Sequence, residues 1–319
     1  MNVSMRLAFK SFLLAVLVAV AAGSAVAQVP SAKTAVPKST LIDASALLDD
    51  IKTLSADDME GRSPAQPSMQ KARDYVAKRF RESGIQPIGA SYEQEFSLAS
   101  RDGKTTFKGI NYVGLIKGKK FADKYIVVTA HYDHLGIRNG QIYNGADDNA
   151  SGTSALFAIA KALQKDRPDH SIIIVAFDAE EMGLRGSKYF VEHLPVKKEE
   201  ILLNINMDMV SRNEKGELYA CGAFRYPQLK ATLEKAQKEA KVKMPLGHDD
   251  PKQGRDDWTD QSDQGSFDKV GIPFVYFGVE DHPDYHKPTD DFERIMPEFY
   301  VHAVETVLMT LRLFDGNRP

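Results

Sequence analysis

The sequence predicts an α/β protein with a single, mostly parallel mixed central sheet, an antiparallel edge and helices on both faces of the sheet. Short apolar runs alternate along the chain with longer amphipathic segments, which is the pattern of strands and covering helices. Polar residues follow the apolar runs closely, as they do where parallel strands end at a ligand crevice. A chain of 319 residues is long enough for one such sheet.

The individual elements follow from the same pattern. Strand-like segments at 92–97 and 105–116 predict the antiparallel edge, and four apolar runs predict the inner strands, at 125–130, 172–177, Ile201–Met207 and 273–277. Amphipathic patterns predict helices at 41–54, 68–83, 151–164, 183–193, 226–240 and 297–314. No internal repeat and no heptad run is visible.

The first 27 residues have the features of a secretory signal peptide. Arg6 and Lys10 precede an apolar run at 12–22, and the small residues at 25–27 form a cleavage site. The run is too short to be a membrane anchor, and no cysteine follows it that could carry a lipid. We therefore expect an exported protein, periplasmic or secreted, with no stable membrane anchor after cleavage.

Residues 28–40 are rich in Ala, Pro, Ser and Lys and are expected to form a flexible mature N-terminus, followed by one folded domain at 41–319. Cys221 is the only cysteine, so the chain forms no internal disulfide. The formal net charge of -3 is made of mixed signs, which gives no reason to invoke nucleic acid or a membrane surface as a partner.

Five side chains of metal-ligand type lie at the ends of the apolar runs or in the loops that follow them. These are His131, Asp148, Glu181, Asp208 and His286. In an open α/β sheet such positions converge outside the carboxyl ends of the strands. Imidazole and carboxylate ligands without thiolate suit zinc, although manganese or cobalt could use the same set.

The five residues can hold two ions if Asp148 is shared. His131 and Asp208 would then complete one site, and Glu181 and His286 the other. Three carboxylates and one hydroxide balance four positive charges, so the ions could sit at the usual two-metal spacing of roughly 3.5 to 4 Å. A shared water would be acidified to a pKa of about 7 and become a nucleophile.

Two further carboxylates are candidates for supporting roles. Asp133 lies two residues after His131, so in an extended segment it can accept the imidazole N–H. Glu180 directly precedes Glu181, and we assign it as the general base. Taken singly, each motif has a structural explanation, such as a helix N-cap at Asp148 or a charged first helical turn at Glu180. The joint occurrence of all five ligands in order favours a metal site.

Five blocks of sequence resemble the di-zinc aminopeptidase family of metallopeptidase clan MH. They are HYD at 131–133, GADDNASG at 145–152, AEEMGLRGS at 179–187, NMDMV at 206–210 and YHKPTDD at 285–291. The resemblance spans roughly residue 41 to the C-terminus and includes DDMEGRSP at 57–64. It implies a zinc-exopeptidase-type catalytic domain at 41–319, without the inserted domain of some larger relatives.

The resemblance also implies roles for single residues. His131, Asp148, Glu181, Asp208 and His286 would be the zinc ligands, with Asp148 as the bridge, and Glu180 would be the base. The peptide bond between Asp148 and Asn149 would be cis. Tyr285 matches a tyrosine that several relatives use to hydrogen-bond the tetrahedral oxyanion, although a packed loop aromatic explains it equally well.

A polar stretch at 248–270 contains six aspartates before Phe267 and the only tryptophan, Trp258. It is either a solvated loop or a lid over the substrate, with Asp263 as the preferred partner for a substrate ammonium. Its SDQGSF segment resembles the family's Ser-Asp-His-x-x-Phe block with Gln264 in the histidine position. Six histidines match no ligand position, with His282 the least secure of these exclusions: His134, His170, His193, His248, His282 and His302.

The hypothesis from sequence is a zinc-dependent exopeptidase with two Zn²⁺ ions and a peptide substrate, most simply an aminopeptidase that removes N-terminal residues. A carboxypeptidase or dipeptidase would share every catalytic residue. A glutaminyl cyclase, from a related single-zinc group, is disfavoured by the presence of both His131 and Asp208. A non-catalytic binding module is disfavoured because Glu180 and all five ligands are present.

Overall fold

The centre of the fold is an eight-stranded mixed sheet, described here from a computed structural model that covers residues 36–100 and 103–316. The expected signal peptide at 1–27 and residues 28–35 lie outside the described residues. The strands of the sheet are β1 Gln86–Pro87, β2 Glu93–Ala99, β3 Thr106–Ile116, β4 Phe121–His131, β7 His170–Phe177, β8 Ile201–Met207, β9 Tyr219–Cys221 and β10 Phe274–Gly278, while β5 Gly136–Arg138 and β6 Gln141–Tyr143 form a separate hairpin.

The four inner strands of this sheet are parallel and end at one edge. The order across the sheet is β1-β3-β7-β4-β8-β10-β9, with β2 also paired to β3. In the β4–β7 pair His131 lies opposite Phe177, and in the β10–β8 pair Phe277 lies opposite Met207. Both outer pairs, β3 with β7 and β9 with β10, are antiparallel. The loops that follow β4, β7, β8 and β10 therefore leave the sheet side by side.

Helices cover both faces, because successive side chains of a strand point to opposite faces. In β7, Ile172 and Ile174 belong to the larger apolar core, whereas Ile173 and Val175 belong to a second core on the opposite face. The larger core is closed by α1 Ala44–Leu54, α2 Met69–Glu82, α3 Gly152–Lys165, α5 Lys230–Glu239 and α7 Pro297–Asp315, and the smaller one by α4 Arg185–Glu192 and α6 Gln264–Lys269.

Local sequence signals account for the ends of the longer helices. The Asp43 side chain accepts the N–H of Ala46 at the start of α1, which satisfies a donor that the helix leaves free. Helix α7 begins with Pro297, whose missing N–H costs nothing in the first turn. It ends at Gly316, which has a φ of 84° that favours glycine.

The predicted α/β fold is confirmed, with its antiparallel edge formed by β2 and β3. The six predicted helices and six predicted strands are present, within a few residues at each end. The strands and the α-helix that were missed are short: the strands β1, β5, β6 and β9 and the six-residue helix α6. Elements of two or three residues have no detectable periodicity. Among the described residues no helix is both long and apolar enough to cross a membrane.

Candidate metal centre

The proposed ligands come together at the carboxyl edge of the parallel strands. His131 is the last residue of β4, and Asp208 directly follows β8. Glu181 lies four residues beyond the end of β7, and His286 eight residues beyond the end of β10. Asp148 comes from the short π-helical segment Ala146–Ser151 in front of α3. Its peptide bond to Asn149 is cis, as the family resemblance implied.

Within this group Asp148 lies between two sets of ligand atoms. His131 Nε2 is 3.4 Å from Asp148 Oδ1 and 3.3 Å from Asp208 Oδ1. On the other side, His286 Nε2 is 3.1 Å from Asp148 Oδ2 and 3.2 Å from Glu181 Oε1. Each oxygen of the Asp148 carboxylate thus faces a different histidine. This is the arrangement that a shared carboxylate between two cations requires.

The spacing of these atoms fits zinc. Zinc bound tetrahedrally at about 2.0 to 2.1 Å from nitrogen and oxygen places its ligand atoms roughly 3.3 to 3.4 Å apart. The four separations within these two sets, two of them to Asp148, run from 3.1 to 3.4 Å. In addition, Glu181 Oε1 is buried without a hydrogen-bond partner, as expected of an atom whose partner is a cation. The donor set and its geometry therefore fit a divalent metal.

Charge in the cluster also favours a cation. Burial disfavours the charged form of His131, but the carboxylates of Asp208 and Glu180 outweigh it and hold the pKa of His131 well above its ordinary value. The same balance, with Asp148 and Glu181 as the acids, raises the pKa of His286 to about 10. The histidines are stabilised as cations because the carboxylates around them outnumber them.

His134 also lies in this cluster, although the sequence analysis assigned it no ligand position. Its Nδ1 is 2.8 Å from Glu181 Oε1 and 3.7 Å from Asp148 Oδ2. His131, Asp148 and Asp208 form one group of ligand atoms, and His134, Asp148 and Glu181 form another. The signal for His134 is its place three residues after His131, which a motif of His-x-Asp alone does not include.

The segment that carries Asp148 is held from both sides. The Asp290 carboxylate accepts the backbone N–H of Asp147 and that of Asp148, each at 3.0 Å. The Asp147 side chain points away from the cluster, where it accepts Ser211 Oγ at 2.7 Å and faces His282 Nε2 at 3.1 Å. Asp148 rather than Asp147 therefore faces the proposed ligand histidines. His282 interacts with Asp147 instead of joining the cluster.

A buried arginine joins the DDMEGRSP segment at 57–64 to the loops that carry His131 and Asp148. Arg62 is fully buried, and its guanidinium donates to the carbonyl oxygens of Leu54, Tyr132, Asn144 and Gly145. Burial lowers the pKa of Arg62 to about 10, against the nearby carboxylates that favour its charge. The DDMEGRSP block therefore holds the backbone directly after His131 and shortly before Asp148.

Glu180 and Tyr285 line a cavity of about 500 Å³ beside the ligands. Burial, together with the carboxylates of Asp208, Asp263 and Glu181, raises the pKa of Glu180 well above its ordinary value, even though His131 acts in the opposite direction. Burial and the ligand carboxylates also raise the pKa of Tyr285, so its O–H stays protonated. The Tyr285 ring stacks on His286 with 4.0 Å between centroids.

The 248–270 stretch is an ordered wall of the cavity. Trp258 is buried and stacks on His248 with 3.7 Å between ring centroids. Gln264, in the place of the family's histidine, donates to the Trp258 carbonyl at 2.7 Å and accepts from Asn206 of β8 at 2.9 Å. It ties this wall to the sheet.

Asp263 is placed differently from the expectation that it faces the substrate. Its exposed fraction is 0%, and it is not among the residues that line the cavity. The non-ligand carboxylates on the cavity wall, apart from Glu180, belong to Asp256, Asp260, Glu280 and Asp281. The reason is that Asp263 directly precedes α6, which packs on the inner sheet face.

Comparison with known proteins places this site in a family. The sequence profile of Peptidase family M28 matches residues 111–311. Aminopeptidase YwaD of Bacillus subtilis is 32% identical over 210 residues, which are 62% of this chain and 43% of that protein. A glutamate carboxypeptidase 2 homolog of Caenorhabditis elegans is 34% identical over 110 residues, which are 32% of this chain and 13% of that protein. The chain thus spans less than half the length of these relatives.

Solved structures share the fold. A zinc aminopeptidase from Bacillus subtilis, BSAP, superposes with a TM-score of 0.70 at 19% identity, covering 86% of this chain and 96% of the other. The glutaminyl cyclase of Porphyromonas gingivalis superposes with a TM-score of 0.68 at 19% identity, covering 85% and 98%. At this level of identity the likeness shows the fold alone.

Proposed function

Because the chain belongs to peptidase family M28, we propose that it is an exported zinc-dependent exopeptidase, and specifically an aminopeptidase that hydrolyses N-terminal residues from peptides. The observation that carries this proposal is the pair of ligand groups that share Asp148. The leader-like sequence at 1–27 supports export to the periplasm or the medium. YwaD, named as an aminopeptidase, supports the choice among exopeptidases.

The chemistry needs a nucleophile, a base and a stabilised oxyanion. Zinc bound at the two ligand groups would polarise the scissile carbonyl and acidify a water molecule. Glu180 lies on the cavity wall next to the ligand Glu181, so its carboxylate can take the proton of that water and later deliver it to the leaving amine. The high pKa of Glu180 would fall once cations are bound, toward the neutral range in which a base works best.

We assign Tyr285 as the donor that steadies the oxyanion. Its ring lines the cavity and lies on His286, so the position of the ring is set by a ligand side chain. Because its pKa is raised, the phenol remains a hydrogen-bond donor at neutral pH. A donor aimed at a developing negative charge stabilises the tetrahedral intermediate more than the ground state.

The charge of the cavity wall supports attack at the N-terminus. An aminopeptidase has to hold a free α-ammonium close to the metals, whereas a carboxypeptidase needs a cation for the terminal carboxylate. Beyond the ligands and the base, the wall carries four carboxylates and a single guanidinium, that of Arg255. These carboxylates, rather than the buried Asp263, are the partners that we assign to the substrate ammonium.

A set of matched peptides tests the direction of attack. We expect cleavage of a free peptide to be abolished by N-acetylation and to survive C-terminal amidation. Protein carrying Glu180→Gln, purified in the same way, controls for contaminating peptidases. Cleavage of the acetylated peptide together with loss of cleavage on amidation would assign a carboxypeptidase and leave the zinc site intact.

Metal content tests the two-ion arrangement. Elemental analysis of protein purified without chelator should approach two zinc per chain, and a chelator should abolish activity. Asp148→Ala should lose both ions, because it is the ligand that they share. Saturation at one zinc, with release of ammonia and formation of an N-terminal pyroglutamyl residue on a glutaminyl peptide, would support a glutaminyl cyclase, whose fold is the same.

A further inference from the structure

We propose that His134 is an additional ligand of the zinc ion held by Glu181 and His286, so that this ion has four protein ligands and the other has three. The inference rests on the two-ion site proposed above. It adds a ligand that lies outside the five blocks of sequence that resemble the family.

The first observation is that His134 is buried without a hydrogen-bond partner. The residue is 1% exposed, and neither of its ring nitrogens has a partner. A buried imidazole in this state is costly, so a missing partner is the simplest explanation. Its Nδ1 lies 2.8 Å from Glu181 Oε1, which is also unpaired. The two atoms are within hydrogen-bond distance but outside hydrogen-bond angles, so a cation between them would satisfy both better than their direct contact does.

The second observation is that His134 and His286 approach the same two oxygens. His286 Nε2 is 3.1 Å from Asp148 Oδ2 and 3.2 Å from Glu181 Oε1. His134 Nδ1 is 3.7 Å and 2.8 Å from these same atoms. The two rings are 5.9 Å apart and inclined at 59°, so they reach the oxygen pair from different directions. If both rings close on one ion, the two nitrogens and two oxygens make a four-ligand zinc site.

The local fold provides a seat for the ring. The backbone N–H of His134 donates to the carbonyl of Arg62 at 3.3 Å, which sets the direction of the chain after β4. A Cβ on Gly145 would lie 2.5 Å from Cγ and Cδ2 of His134. Any side chain at Gly145 would therefore displace the ring from the cluster. The glycine of the GADDNASG block is thus needed for the ring to lie beside Asp148.

A four-ligand and a three-ligand ion have different properties. Closed zinc sites with four protein ligands hold the metal firmly, whereas sites with three keep a position open for water or substrate. We therefore assign the ion of His131, Asp148 and Asp208 as the open one. A chelator should remove this ion first and the ion bound by His134 last.

A crystal structure of the zinc-loaded wild-type protein tests the ligand directly. We expect His134 Nδ1 at about 2.0 to 2.1 Å from zinc, the ordinary zinc–imidazole distance. If two zinc ions are bound and His134 Nδ1 lies more than about 3 Å from both, the inference is overturned and the two-ion site stands. A single zinc bound by His134 would overturn the two-ion site and uphold the inference.

Zinc affinity, measured by competition with a chelator, separates ligation from simple hydrogen bonding. His134→Gln keeps an N–H that can reach Glu181 but removes the imidazole. We expect the affinity for the more tightly bound zinc to fall on the order of 100-fold or more. This exceeds the usual effect of changing a residue that only hydrogen-bonds a metal ligand. Unchanged affinity in this variant would contradict the proposal. His170→Ala, which breaks a histidine–carboxylate pair with Asp315 outside the cluster, is the control and should leave both affinities unchanged.

Discussion

The carboxylate of Asp133 accepts the backbone N–H of Glu180 at 3.0 Å, and its second oxygen accepts that of Glu181 at 3.3 Å. The backbone carbonyl of the same residue lies 3.2 Å from His131 Nδ1, nearer than the carboxylate at 3.6 Å. The fully buried Asp133 therefore fixes the turn that carries the proposed base and one proposed ligand, and its backbone contacts the ring of a second proposed ligand. The sequence predicted that the Asp133 carboxylate accepts the imidazole N–H, whereas in the structure the carbonyl oxygen is the closer acceptor and the carboxylate holds the turn after β7.

Asp133→Asn tests this link. The amide keeps one acceptor oxygen but turns an NH₂ group toward backbone donors, so the turn at Glu180 should shift. We expect a loss of roughly 10- to 100-fold in zinc affinity or in kcat, as is usual for a group that orients a metal ligand. Asp123→Asn, at the exposed opposite end of β4, is the matched control. Full activity and zinc binding in Asp133→Asn would show that the contacts of the Asp133 carboxylate are dispensable.

Glu180→Gln tests the general base. The substitution keeps size and hydrogen bonding but removes the proton acceptor, so kcat should fall by about 10² to 10⁴ while zinc content stays at the wild-type level. Glu181→Gln is the companion variant and should lose zinc, since Glu181 faces His286 and His134. If zinc is lost from the first variant and kept in the second, the two roles have been interchanged.

Tyr285→Phe tests the oxyanion donor. Removing one donor of this kind costs about 10²-fold or somewhat more in kcat, with little change in zinc content. The Phe ring can still stack on His286, so packing should survive and thermal stability should stay near that of the wild type. An unchanged kcat would mean that the ring serves only to pack against the ligand.

Zinc binding should release protons and strengthen with pH. The pKa of His286 is raised to about 10 and that of His131 well above its ordinary value, so without zinc both imidazoles hold protons at neutral pH. Zinc has to displace these protons, and apparent affinity should rise about tenfold per pH unit for each proton displaced. Calorimetry in buffers of different protonation enthalpy measures the release. Affinity that is constant between about pH 6 and 8 would contradict the assignment of these ligands.

Arg62→Lys tests the hydrogen bonds from Arg62 to the backbone of the loops that carry the site. Lysine lacks the planar fork that reaches four carbonyl groups, so some of these buried acceptors would lose their donor. Each unsatisfied buried acceptor costs about 1 to 3 kcal/mol, so the free energy of unfolding should fall by about 3 kcal/mol or more. Denaturant unfolding in excess chelator measures it without a contribution from zinc. Arg81→Lys, exposed on α2, should be close to neutral.

Several parts of the site were accessible from sequence for a physical reason. A carboxylate or imidazole at the end of a buried parallel strand has few explanations, and Asp208, next to an apolar run, has almost none without a charged partner. The apolar inner strands are equally direct, because burial on both faces demands continuous hydrophobicity. The five proposed ligands and the positions of the inner strands are both consequences of this.

Other parts were not accessible, as Asp263 and Gln264 illustrate. Asp263 is an aspartate in a polar stretch, and composition there predicts a surface position, yet α6 carries it into the interior. Gln264 replaces a histidine of the family block and takes up two hydrogen bonds that link Trp258 to β8. A short helix packed by tertiary contacts leaves no periodic signal.

By itself the sequence determined the fold class, the residue types of the proposed metal ligands and their positions at the strand ends, because burial and metal preference act on residue identity and spacing. The tertiary structure alone decided that His134 joins the cluster, that Asp290 holds the backbone of Asp148 and that Asp133 supports the turn at Glu180. These contacts join loops that are far apart in the chain or that reverse direction within a few residues. Side-chain direction in such loops depends on φ and ψ values and packing partners that no pattern of spacing encodes.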